Sequence, residues 1–313
     1  MAVNSSTINS NTIKDYRSNS LWRLTLRRIM RQRSAIIGMV ILAFLLFVAI
    51  FADLLAPYDP YQVLIGVEDV DKRQAPCIYL LGCPKDQPQH IMGTDGNVRD
   101  QFSRIIFGTR ISLFVGFSTV GVAIIIGTLL GAIAGYAGGW LDNLIMRFLD
   151  VLLAFPSLLL AITIVSVLGK GLQNALLAIA IVSIPSYARV VRASVLSVKE
   201  TAYVSASKAL GGNHAHILFG RILPNAIAPL IVRGTLGIGT AILDAAALSF
   251  IGLGAQPPMA EWGTMLGTER NQLFTAPHLV FYPGIAIMLT VLSFNLLGDG
   301  LRDAIDPRLR SAE

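Results

Sequence analysis

Few residues in this chain have the type and spacing to do chemistry, and most of that chemistry is excluded on inspection. The one Gly-Lys pair, Gly169-Lys170, is followed by Gly171 and lies in no G-x-x-x-x-G-K-[ST] loop, so ATP hydrolysis by that route is excluded. No H-E-x-x-H occurs, and His90, His214, His216 and His278 all fall in expected loops, in no metal-ligand spacing with the two cysteines. Ser183 and Ser249 lie in apolar runs with no His or Lys within sequence reach, and they read as helix-packing residues. Two carboxylates remain. Asp150 follows Arg147 at i, i+3 and reads as a local ion pair, whereas Asp244 stands inside a long apolar run. For Asp244 two readings stay open: contact with a solute path, or a structural hydrogen bond in a helix bundle. Catalysis and a resident metal are not expected.

The elements that must position these residues follow from composition. The 313 residues are 54% hydrophobic and only 14% charged, against about 25% charged in a soluble domain. No water-soluble core of this size could hide so much apolar sequence, so lipid must cover it. A soluble enzyme, a nucleic-acid-binding domain and a disordered chain are thereby excluded. Six runs reach the roughly 18 residues that cross a bilayer as a helix: Ala35 to Ala52, Ile111 to Ala134, Val151 to Gly169, Gly171 to Ala188, Ala226 to Leu253, and Leu279 to Gly298. Their all-round hydrophobicity predicts an all-α polytopic bundle rather than a barrel, whose strands alternate.

Orientation is read from Lys and Arg. Segments 1–34, 189–225 and 299–313 together hold 15, while the opposite loops 57–103, 170 and 254–278 hold 6. That excess predicts both termini in the cytoplasm. The expected organisation is therefore a cytoplasmic segment 1–34, a first membrane helix 35–56, an external loop 57–104, a five-helix core 105–298 containing a cytoplasmic loop 189–225, and a cytoplasmic tail 299–313. The polar opening residues lack the apolar core of a cleavable signal peptide. Leu21 to Arg33 sets Trp22, Leu26, Ile29 and Met30 among arginines, which suits either an interfacial helix on the inner leaflet or a plain basic flank. Cys77 and Cys83 both fall in the external loop, where a disulfide and two free thiols are equally open readings.

The most informative segment is KETAYVSASKALGGNHAHILFGRILPNAIAP, residues 199–229. Tyr203, Ala206, Ala209 and Leu210 share one helical face, and the small residues Ser205, Ala206, Ser207 and Ala209 permit close approach by another protein. Gly211-Gly212 stops the helix. The segment reads as a docking element, or alternatively as a surface helix capping the bundle.

This segment resembles the cytoplasmic loop of ABC importer permeases, E-A-A-x-x-x-G followed by nine residues and I-x-L-P. Ala206, Gly211, Leu223 and Pro224 fall on that pattern, while Ser205, Ser207 and Arg221 depart from it. The dipeptide/oligopeptide branch reads more like Y-V-x-A-A-x-x-L-G, matched here by Tyr203, Val204, Ala206, Ser207 (Ala in that pattern), Leu210 and Gly211. GTDGNVRDQFSRIIFGTRISL (93–113) resembles the C-type subunit of that branch, with Val98 in place of a usual Gly. Segments 135–161, 242–266 and 294–310 also match, so the resemblance covers about residues 20 to 310.

The resemblance implies the type I importer permease fold. It also implies a division of labour: a related B-type permease as heterodimer partner, two ATPase subunits that bind ATP and Mg, and an external peptide-binding protein. ATPase coupling falls on Tyr203, Val204, Ser205, Ala206, Ser207, Lys208, Ala209, Leu210, Gly211, Leu223 and Pro224. A substrate path is expected to involve Asp244, Gln256, Glu261 and Trp262, and the segment 254–278 reads as a structured scoop beside the entrance or as a plain loop. Two other functions are weighed: the same machinery importing nickel chelates or another small solute, and an ion-coupled secondary transporter. The latter calls for inverted repeats and broken helices with paired carboxylates, and the sequence displays neither.

Overall fold

The computed structural model of this protein describes residues 30, 32–84 and 86–305. The interfacial helix expected over Leu21 to Arg33 and the end of the 299–313 tail lie largely outside those residues. The elements in chain order are α1 (Arg33–Ile50), α2 (Gln101–Ala137), α3 (Gly139–Leu153), α4 (Ser157–Leu168), α5 (Leu172–Lys199), α6 (Ala202–Ala209), α7 (Ala228–Phe250), α8 (Trp262–Glu269) and α9 (His278–Ile305). The described residues form no named strand and only isolated bridges.

Five helices, α1, α2, α5, α7 and α9, are each long and apolar enough to cross a membrane, and the bent pair α3–α4 raises the number to six. That pair corrects an expectation. The run Val151 to Gly169 is not one straight helix: it is split between α3 and α4, which meet at 89°. Pro156 supplies the reason, because it disfavours helical backbone at the residue before it and cannot donate to the preceding turn. A broken helix is therefore present after all. Its carboxylates are not paired with one another, however. Asp142 is bonded to Arg192 and Asp150 to Arg189, at 2.5 and 2.6 Å. The expected Arg147–Asp150 pair is thus replaced by a bridge from α3 to α5.

Helix α2 is the longest, at 37 residues, or about 55 Å at 1.5 Å per residue. That exceeds the roughly 30 Å of a hydrocarbon layer, and its start at Gln101 ends the preceding loop at 100 rather than 104. Asp100 sets that start by accepting hydrogen bonds from the amide and hydroxyl of Ser103, both at 2.7 Å. Along its C-terminal half, Gly127, Gly131 and Gly135 lie one helical turn apart against Tyr187, Ala188 and Val195 of α5. Small residues at i, i+4 spacing let the two backbones approach, and a Cβ at Gly127 would stand only 2.8 Å from that of Tyr187. Helix α9 packs between α7 and α1, with Gly38 of α1 pressed on the Ser293 carbonyl.

The 57–100 loop is a cap tied down by charge. Asp95 pairs with Arg99 at 2.7 Å. Arg104 donates to the carbonyls of Pro60 and Pro258 at 2.8 and 3.2 Å. Arg73 joins Glu269 at 2.9 Å. Cys77 and Cys83 are disulfide-bonded, their Cα atoms 5.4 Å apart. Val98, at the position where the resemblance expects Gly, takes φ +55° and is buried, so valine occupies a left-handed conformation normally left to glycine.

Candidate functional site

The loop after α5 is built outward from the end of that helix. After Glu200 the chain turns extended at Thr201, whose hydroxyl donates to the Val198 carbonyl at 2.6 Å. Helix α6 then runs for eight residues. Leu210 donates its amide to Ala206, Gly211 takes φ +78°, and the Gly212 amide returns to the Ser207 carbonyl at 3.0 Å. That left-handed exit is why glycine is needed at 211. The helix ends at Ala209, and Leu210-Gly211 forms its exit turn. His216–Ile222 follows as a π-helical turn, and Leu223–Ala226, with exposed Pro224, leads into α7. Three histidines expected in loops are thus helical, His214 just before the π turn, His216 within it, and His278 as the first residue of α9.

One side of α6 is an anchor and the other is open. Val204 is fully buried, in one cluster with Ile217, Ile222 and Val195, and Leu223 packs against that cluster. Tyr203, Ser205, Ala206, Lys208, Ala209 and Leu210 are exposed, Leu210 by 88%, and Ser207 is intermediate. An apolar, small-residue face thus stands outward on a helix held by one valine.

Three contacts that sequence reading missed fix this loop to the bundle. The Tyr136 hydroxyl at the end of α2 meets Nδ1 of His214 at 2.7 Å, and Lys199 donates to the Tyr136 carbonyl at 2.8 Å. Arg192 donates from Nε and Nη2 to the two carboxylate oxygens of Asp142 at 2.5 and 2.6 Å. No local spacing links these residues, so no sequence signal could have found them.

The four substrate-path candidates are not gathered into one site. Asp244 is half-buried on α7 and has no hydrogen-bond or ion-pair partner among the described residues. Helix α8 crosses α7 at Ala246 and Phe250, and Ala246 lies about 200° around the helix from Asp244. Trp262 is fully buried and donates Nε1–H to the Ile105 carbonyl at 3.1 Å. Glu261 is also buried and caps α8, accepting from the amides of Gly263 and Thr264 at 2.9 and 2.8 Å. Burial pushes its carboxyl up, and those two amides pull it partly back. Both side chains lie inside the wall rather than on an open surface. Exposed Gln256 donates to the carbonyls of Gly252 and Gly254. The 254–278 segment is thus ordered, with α8 packed across α7.

At the start of α2, His90 is buried between Asp100 Oδ1 at 2.8 Å and Glu68 Oε2 at 3.2 Å. Burial opposes a charged ring, but the bonds and charges of Asp100 and Glu68 outweigh it and raise the His90 pKa. Tyr58 stacks on that ring at 5.0 Å, and its hydroxyl is pushed up to about 12 by burial and by Glu68.

Residues 127–311 match the family described as binding-protein-dependent transport system inner membrane component, and residues 20–76 match the N-terminal TM domain of oligopeptide transport permease C. The chain belongs to this permease family. It is similar to the dipeptide transport system permease protein DppC of Alkalihalophilus pseudofirmus, 48% identical over 95% of this chain and 93% of that protein. It is also similar to the glutathione transport system permease protein GsiD of Pectobacterium atrosepticum, 45% identical over 96% and 95% of the two chains. The di/tripeptide transport system permease protein DppC of Pseudomonas aeruginosa is 46% identical over 90% of each. Among solved structures, the inward-facing MetNI methionine ABC transporter overlays with TM-score 0.55 at 18% identity, covering 65% of this chain and 97% of that one. A permease of this family is a multi-pass membrane transport subunit, and its fold is that of type I importers.

Proposed function

We propose that this permease forms half of the translocation pathway of an ATP-driven importer for dipeptides and short oligopeptides. A B-type permease completes the pathway, two ATPase subunits bind ATP and Mg, and an external binding protein delivers the solute. Both termini lie in the cytoplasm, a reading supported by the asymmetry of basic residues. The observation that carries the reading is α6: a short helix anchored by Val204, with Tyr203, Ala206, Ala209 and Leu210 turned outward. Such a helix suits a groove on an ATPase, with Ser205, Ser207, Lys208, Gly211, Leu223 and Pro224 shaping it or its exit. The names of the dipeptide, di/tripeptide and glutathione relatives support small peptides as cargo. ATP-driven closure of the ATPases would move the outer face of α6, and coupling then depends on contacts that differ between two states.

The test is reconstitution of the chain with its B-type partner, its ATPases and its binding protein in proteoliposomes. Uptake of a labelled dipeptide is expected only with ATP present. Uptake driven by an ion gradient without the ATPases would overturn the reading.

A further inference from the structure

Helix α7 has two different sides. Gly234, Ile238, Ala241, Ile242, Ala245 and Leu248 are buried against the bundle. On the opposite side Arg233 and Thr240 are exposed and Asp244 is half-buried. These three positions are seven and four residues apart, so they fall within about 40° of one line along the helix. The first and last stand about 16 Å apart at 1.5 Å per residue. A charge at this depth is costly against lipid and faces a water-filled cavity or a partner. Arg233 does not reach back toward the cytoplasmic surface: its Nε and Nη2 donate to Ser186 of α5 at 3.1 and 2.7 Å, which holds the guanidinium across the open side. Asp244 has no such partner among the described residues. An aligned cation, hydroxyl and carboxylate on the open side of a membrane helix make a polar track with opposite charges at its two ends.

From this arrangement we propose that Arg233 and Asp244 are charge-reading stations on the translocation path, Asp244 receiving cationic groups of the passing peptide and Arg233 anionic ones. The inference rests on the peptide-import reading and adds to it a solute class, peptides carrying both charges, and a location. Asp244, nearer the outer end in the orientation above, meets the solute first. Thr240 supplies a neutral hydrogen-bonding step between the stations.

The experiment uses the complete importer in proteoliposomes with Ala-Ala-Ala, Ala-Lys-Ala and Ala-Asp-Ala. Each is supplied at saturating concentration, so that the binding protein's own affinities cancel. Asp244→Asn is expected to lower the maximum rate for Ala-Lys-Ala about five-fold relative to Ala-Ala-Ala and to spare Ala-Asp-Ala. Arg233→Gln is expected to do the reverse. Variants that slow all three peptides alike, leave all three unchanged, or fail to co-purify with the B-type partner would overturn the proposal, the last by making these residues part of the subunit contact. A wild-type importer that hydrolyses ATP with its binding protein yet takes up none of the three peptides would instead sink the peptide reading, and this inference with it.

Discussion

Arg192 of α5 grips Asp142 of α3 through two parallel hydrogen bonds, one to each carboxylate oxygen, at 2.5 and 2.6 Å. Fifty residues separate the two in sequence, yet this fork fixes the first turn of the bent pair to the helix that leads into α6. Lysine offers a point charge and cannot reproduce both bonds. Arg192→Lys is therefore expected to cost about 1 kcal/mol, because the Arg192 side chain is one-third exposed and solvent screens the pair. The check is the thermal midpoint of the purified importer, and a variant as stable as wild type would remove the planar fork from the account.

Exposed Ala206 supports a sharper expectation. Ala206→Glu places bulk and charge at the centre of the open face of α6, while buried Val204 and the membrane helices are untouched. Membrane insertion should stay near normal and ATP-driven uptake should collapse, since a charge in a packed interface costs about 2 kcal/mol or more. Pull-down of the ATPases with the variant measures the loss directly. Gly211→Val should act in the same direction, because φ +78° is strained for a β-branched residue. Full uptake by Ala206→Glu would remove the docking role.

Val98 predicts a reversal of the usual order of substitutions. It is buried at φ +55°, a conformation that costs a residue with a Cβ roughly 1–2 kcal/mol. Both Val98→Gly and Val98→Ala lose buried apolar surface, but only glycine relieves the backbone. Val98→Gly should be the more stable of the two by about 1 kcal/mol, measured as thermal midpoints under one condition. An alanine variant that equals or exceeds glycine would contradict the strain.

His90 makes the 57–100 cap sensitive to pH. Its folded pKa lies above the usual value, because Asp100 and Glu68 outweigh the effect of burial. Stability from this group is thus fully present below the unfolded value of about 6.5 and is lost as pH rises through the folded one. Proteolysis within 57–100 should be faster at pH 8.5 than at pH 6, and His90→Gln should remove most of that difference. A cap equally protected at both pH values would count against a charged His90.

The disulfide gives access to topology. Impermeant thiol reagents applied outside intact cells should label Cys77 and Cys83 only after reduction, and this places the 57–100 loop outside. Labelling confined to inside-out vesicles would invert the orientation.

What the sequence determined is whatever depends on local composition and periodicity. Apolar runs located α1, α2, α5, α7 and α9, because burying some 20 residues in lipid requires nothing from the rest of the chain. The segment around Tyr203 and Gly211 was legible because a helix stop at glycine is likewise local. Tertiary structure alone decided the rest. Pro156 interrupts an apolar run, but only the packed bundle fixes the turn there at 89°. Asp150 could have bonded Arg147 one turn away, yet Arg189 of another helix takes it. Glu261 and Trp262 read as polar groups at an entrance, yet α8 folds them under α7 as a cap and a plug. In each case the partner is distant in sequence, and which of several chemically equivalent groups meets a given residue is set by how the helices close on one another.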